Sequence, residues 1–145
     1  MREKMSTLEV FARMGLPRLC LNRNRTGNAP MFYFALNMQN VKHITHLNLD
    51  SNGLTAVTAK MLSQALPLQI NLEHVSLCHN RFGSTGLIYL ASGLVDCVSL
   101  KSLLLADTNT GDQGAIQLAH VLAMLPVFEE LDLSINPLLE SAGWR

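Results

Sequence analysis

Apolar and polar positions along this chain follow one long, fixed period. Ile44, Leu47, Leu49, Asn52 and Leu54 occupy offsets 0, 3, 5, 8 and 10 of a unit, and 28 residues later the same offsets hold Leu72, Val75, Leu77, Asn80 and Phe82. The next two steps give Leu100, Leu103, Leu105, Thr108 and Thr110, then Phe128, Leu131, Leu133, Asn136 and Leu138. One step back gives Leu16, Leu19, Leu21, Asn24 and Thr26. Five readings in one register, with no insertion or deletion, exclude coincidence. The front of each unit alternates with period two, as a strand with one buried face does. In the back half, Gly86, Leu90 and Leu94 recur as Gly114, Leu118 and Leu122, and Thr58, Leu62 and Leu66 precede them. Leucines four apart share one helical face. Each unit therefore predicts a short strand, a turn and a helix returning on the outside. Such a unit cannot bury its apolar face alone, and stacked neighbours supply the core.

The pattern LxxLxLxxNxL followed by xxxGxxxLxxxL, at a period of 28, resembles the ribonuclease-inhibitor type of leucine-rich repeat over residues 16–145. The resemblance implies an α/β fold: a leucine-rich repeat solenoid, a curved horseshoe segment with parallel strands on the concave face and helices on the convex face. It also implies protein binding. The expected units start at 16, 44, 72, 100 and 128, the last one truncated, behind an N-terminal capping helix within residues 1–15.

Each signature residue has a physical task in this scheme. The strand leucines point inward and stack in layers. Asn52, Asn80 and Asn136 stand where the chain leaves the strand, and a short carboxamide there satisfies backbone groups that the ladder abandons. Thr108 interrupts that column beside Asn109, which predicts a locally altered turn and the weakest link of the ladder. Ser6-x-x-Glu9 reads as a capping box with Leu8, Phe11 and Ala12 behind it and Gly15 and Pro17 as a stop. The first unit is irregular: PMFYFALNMQ (30–39) places Pro30 where glycine recurs, which suits a first helical turn. At least two of Phe32, Tyr33 and Phe34 are expected to be buried. The fifth unit stops at Ser141-Ala-Gly-Trp-Arg145 before its helix. Either Trp144 folds over the last layer or the chain is a piece of something longer, and the second reading is preferred.

Composition sharpens the picture. Leucine supplies 27 of 145 residues and aromatics only 6%, so leucine must do most of the packing. Formal charge is zero overall, but residues 1–43 hold seven basic and two acidic residues while 44–145 hold four and nine, a balance of +5 against −5. No apolar run approaches the roughly 18 residues that span a bilayer, so no membrane partner is expected. MREKMSTLEVFARMG carries two acids and no apolar block of a secretory signal. Cys20, Cys78 and Cys97 are odd in number and lack CxxC spacing, which fits a reducing, cytoplasmic (intracellular) setting.

The strand positions between the leucines form columns, side chains of adjacent strands standing about 4.8 Å apart. The first is Arg18, His46, His74, Ser102 and Glu130; the second is Cys20, Asn48, Ser76, Leu104 and Asp132. The third is Asn22, Asp50, Cys78, Ala106 and Ser134; the last is Arg23, Ser51, His79, Asp107 and Ile135. The face runs from basic to acidic and would orient a partner of complementary gradient. His46 and His74 are expected side by side. Zinc needs three or four converging ligands, and Cys78 stands about 13 Å along the strand from His74 by strand rise, so no metal site is expected. Two exposed histidines facing a partner would make binding pH-sensitive. Cys97 aligns with Val41 and Leu125 and reads as core, and Cys78 reads as inert. There is no GxSxG, Walker A, GxGxxG after a strand or HExxH, so no enzyme and no cofactor are expected. Arg18, Arg23 and Arg25 form the densest basic group but lack stacking aromatics, so a solvated cap is expected rather than a nucleic-acid site.

The function these readings predict is a non-catalytic module that grips a protein partner, with no small-molecule substrate, through its concave face. The candidate contacts are His46, Asn48, Asp50, His74, Ser76, His79, Ser102, Leu104, Asp107, Glu130 and Asp132. Repeats of this type also resemble the GTPase-activating proteins of the Ran type, whose long acidic tail nothing here matches. The sensor repeats of nucleotide-binding immune receptors and components of cytoskeletal or axonemal assemblies are further alternatives.

Overall fold

In a computed structural model of the chain, residues 10, 13–137 and 139 are described. Ser6, Leu8, Glu9, Phe11, Ala12, Leu138 and Trp144, on which the capping helix and the ending of the fifth unit were argued, lie outside them. Strands and helices alternate: β1 (Arg18–Cys20), α1 (Asn28–Asn37), β2 (His46–Asn48), α2 (Ala56–Ala65), β3 (His74–Ser76), α3 (Gly83–Leu94), β4 (Ser102–Leu104), α4 (Asp112–Leu122) and β5 (Glu130–Asp132). The five strands form one parallel sheet in chain order. Arg18, His46, His74, Ser102 and Glu130 are register partners in turn, so every pairing is a 28-residue step. The sheet lines the inner side of a curved solenoid and the helices pack along the outer side.

Each named strand is only three residues long, but the ladder continues past it. The N–H of Leu21, Leu49, Leu77 and Leu105 donates to the carbonyl of Asn48, Ser76, Leu104 and Asp132 at 2.8–2.9 Å. Two residues on, Arg23, Ser51, His79 and Asp107 repeat the same bond to the next unit. These four and Ile135 have φ between 53° and 61°. The last of the four columns is thus a row of left-handed turn residues, not of extended strand. That bend swings each chain off the sheet toward its helix.

Between sheet and helices lies one continuous apolar core. Leu47, Leu49, Val75, Leu77, Leu103 and Leu105 are buried from the strands, and Leu62, Leu90 and Leu118 meet them from the helices. At the end of the stack Phe128, Leu131 and Leu133 are only partly buried. In the first unit Met31, Phe34 and Met38 fill the core, while Phe32 and Tyr33 are exposed. The expectation of two buried aromatics fails because only Phe34 stands 28 residues before Leu62; its neighbours in the helix necessarily face elsewhere. Pro30 does lie in the first turn of α1, after Gly27.

Asparagine carboxamides seal the turns. Asn80 Nδ2 donates to the carbonyls of Leu49, Leu77 and Cys78 at 2.9–3.2 Å, and its Oδ1 accepts the N–H of Asn52 and Leu54 at 3.0–3.1 Å. Asn52 and Asn136 repeat this arrangement toward their own neighbours. Buried backbone groups that leave a ladder need such partners. Thr108 is fully buried and donates to the carbonyl of Leu105 at 2.8 Å. The altered turn expected there is absent: Asn109 has φ 57°, matching Gly53 at 67° and Arg25 at 50° in the same place. The departure lies one unit earlier, where Arg81 pairs with Thr55 in an isolated bridge and the positive φ moves to Gly83.

Candidate functional site, the sheet face

The residues that the leucine layers leave over stand on the inner face in the order the period dictates. Arg18 begins the first column and is exposed, and Glu130 ends it, also exposed. Between them the rings of His46 and His74 lie 4.4 Å apart, centre to centre, tilted by 32°. Thr45 Oγ1 donates to the carbonyl of Pro17 at 3.0 Å and so accepts from His46 Nδ1 at 2.8 Å. The proton therefore sits on Nδ1 and Nε2 is left as an acceptor. His74 Nδ1 lies 2.8 Å from the hydroxyl of Ser102. Burial, then the adjoining His74 and Arg18, lower the His46 pKa and favour its neutral form.

The second and third columns are tied to each other. Asp50 Oδ1 accepts from Ser76 Oγ at 2.7 Å and from the N–H of Cys78 at 2.8 Å, while Asn48 Oδ1 accepts the N–H of Asp50 at 2.9 Å. Asp132 plays the same turn role for the N–H of Ser134 at 2.8 Å, which holds its carboxyl below the usual carboxylate range. Leu104 is half-buried amid these polar groups. His79 and Asp107 pair at 3.0 Å in the turn row beyond the strands, beside Arg81 and Asn109.

The sheet thus brings eight of the eleven candidate residues to an accessible face, and His79 and Asp107 are exposed in the turn row beyond it. Ser102 is the exception: at 7% exposure it lies beneath the surface and supports His74. A further column, Pro17, Thr45, Glu73, Lys101 and Glu129, escaped the sequence reading although it also repeats every 28 residues. It is made of the positions just before the strands. Here Lys101 Nζ donates to Glu73 Oε2 at 3.0 Å, the contact that holds the Glu73 carboxyl low, and the same oxygen stands 3.9 Å from His74 Nε2. The histidine pair is therefore flanked by Arg18 at one end and a Glu73–Lys101 ion pair at the other.

Burial pushes the Cys97 thiol up to about 11 and raises that of Cys78, so neither is a poised nucleophile. Among the described residues no group of three or more His, Cys, Asp or Glu could hold a metal ion. Nor is any helix among them long and apolar enough to cross a membrane.

A leucine-rich repeat family model matches residues 42–63 and 69–91. Mouse (Mus musculus) ribonuclease inhibitor is 29% identical over 98 residues, 67% of this chain and 22% of that protein. Mouse NACHT, LRR and PYD domains-containing protein 5 is 31% identical over 143 residues, 97% of this chain and 12% of the relative. The chain thus spans less than a quarter of the length of these curated relatives. Among solved structures, leiomodin-1 actin-binding site 2 superposes with a TM-score of 0.76 at 12% identity, covering 90% of this chain and 80% of that one. The tropomodulin C-terminal domain of Caenorhabditis elegans gives 0.77 at 12% identity, covering 96% and 87%. These two likenesses are of fold. With the 28-residue strand register and the asparagine-sealed turns, the sequence matches settle the family: the chain is a leucine-rich repeat protein whose units are of the ribonuclease-inhibitor type.

Proposed function

We propose that the chain is a non-catalytic interaction module that holds a protein partner against its sheet face. One observation carries the reading. The face is built of register-locked columns whose side chains the core does not use, graded in charge from Arg18 to Glu130. Such a surface recognises a macromolecule with an opposite gradient; it does not enclose a small substrate. His46, Asn48, His74, Ser76 and Leu104 form its centre, and Glu130 and Asp132 its acidic end. Three free thiols, two of them buried, fit a reducing intracellular compartment.

Leiomodin-1 actin-binding site 2 shares the fold, which makes purified actin a defined first probe beside a lysate. The native chain and a Glu130→Lys, Asp132→Lys variant are immobilised in parallel, and retained proteins are identified by mass spectrometry. Since both side chains are accessible, the variant is expected to fold and to lose a partner that the native chain retains. Equal retention by a folded variant would remove the acidic end from the contact surface.

A further inference from the structure

The outer side of the second helix carries accessible apolar side chains among its polar Lys60, Ser63 and Gln64, where a surface helix is ordinarily polar. α2 turns Ala59, Leu62 and Ala65 into the core. A second stripe, Val57 and Met61 on its solvent side and Leu68 in the 3-10 turn Leu66–Leu68 that follows it, recurs at four- and seven-residue spacing, with Val57 55% and Leu68 45% exposed. Two clefts flank the stripe. One of about 540 Å³ opens toward Thr85 and Tyr89 of α3. The other, of about 170 Å³, opens toward Ala35 and Leu36 of α1. Phe32, Met61 and Gln64 line both, so the clefts form one trough. From Val57 to Leu68 it runs roughly 17 Å by helix rise, about three helical turns.

Charge says what the trough fits. Lys60 is the single charged residue among those lining either cleft. Its ammonium lies 5.8 Å over the ring of Tyr89, and none of the ion pairs among the described residues includes it. An apolar channel three turns long with one unneutralised cation at its rim is complementary to an apolar helical stripe bearing a carboxylate. We infer that this trough takes a short amphipathic helix of a protein partner. The helix seats its apolar residues on Phe32, Val57 and Met61 and pairs a Glu or Asp with Lys60. The site lies on the opposite side of the solenoid from the sheet face and does not rest on the reading of that face.

The test is a display library of helical peptides of about 16 residues, selected on the native chain and counter-selected on Met61→Glu. Met61 is only partly buried, and thermal melting of each variant establishes that it folds. Selected peptides are expected to share apolar residues at i, i+4 and i+7 with one acid, and to bind at least tenfold more weakly to Met61→Glu. Lys60→Glu should weaken them severalfold, and a peptide with Lys in place of the acid should recover binding to that variant. Glu130→Lys with Asp132→Lys should leave them unchanged, which separates this site from the sheet face. No enrichment, peptides indifferent to Met61→Glu, or peptides without an acid that ignore Lys60→Glu would each overturn the inference. So would a dimer in sedimentation that Met61→Glu dissolves, since the occupant would then be a second copy.

Discussion

At the scale of single residues, a buried carboxamide ties one unit of this fold to the next. Asn80 satisfies five backbone groups from two adjacent units. Removing it strands polar atoms where no water reaches, at about 1–3 kcal/mol for each group left unsatisfied. Asn80→Ala is therefore expected to lower the unfolding free energy by about 3 kcal/mol or more in a urea titration. A change below about 1 kcal/mol would show that the turn re-forms its bonds without the side chain. His46 gives a second prediction at this scale. Its pKa is lowered in the folded chain, so the unfolded chain binds the proton more readily. Stability is then complete above the ordinary histidine range and falls as pH drops through that range toward the lowered value. Melting followed from pH 7.5 to 5.5 should show a smaller loss in His46→Gln than in the native chain. Equal losses would assign the acid sensitivity to other groups. The asparagine column was legible in the sequence, because the same offset recurs. The Thr45 hydroxyl that fixes the His46 tautomer was not, since its role depends on a carbonyl 28 residues earlier, at Pro17.

Among elements, the helices owe their spacing to residues with no side chain. A Cβ on Gly93 would stand 2.5 Å from Ser63 Cα and 2.7 Å from its carbonyl oxygen, both backbone atoms of α2. Gly114 meets the preceding unit almost as closely, at 2.8 Å from Ser84 Cα, whereas a Cβ on Gly86 would stand 2.7 Å from Phe82 Cβ of its own unit and 3.4 Å from Ala56 Cα. In an open helix, glycine to alanine would gain about 1 kcal/mol of propensity. Here the gain is outweighed because two packed helices must separate. Gly93→Ala is expected to lower the melting temperature by several degrees, corresponding to about 1–3 kcal/mol of overpacking. An unchanged or raised melting temperature would mean that α2 and α3 slide apart freely. The recurring Gly86 and Gly114 were visible in the sequence, and so were strand placement and register, which the period dictates. Gly93 was hidden because Ala65 and Val121 occupy its place in the neighbouring units. The exposure of Phe32 and Tyr33 is hidden for a related reason: aromatic content alone does not tell the helix faces apart, and only the 28-residue step from Phe34 to Leu62 singles out the buried ring.

For the whole molecule, two surfaces on opposite sides divide the recognition proposed here. The sheet face is polar and graded in charge, and the trough along α2 is apolar with a lone cation. The first could be read from the sequence because strand residues alternate by twos, so the columns between the leucines must face outward. The second could not, because a helix's outer side shows as a groove only once its neighbours are placed beside it. The turn row holding His79 and Asp107 belongs to neither surface proper. Its left-handed backbone carries the pair to the end of the strands, where it contributes as rim. The most direct measurement is a titration of the retained partner, by calorimetry, against the native chain, Glu130→Lys with Asp132→Lys, and Met61→Glu. Binding through the sheet face predicts an affinity at least tenfold weaker for the charge-reversed chain and unchanged for Met61→Glu. Native affinity in the charge-reversed chain, with loss only in Met61→Glu, would contradict it and move the primary contact to the helices.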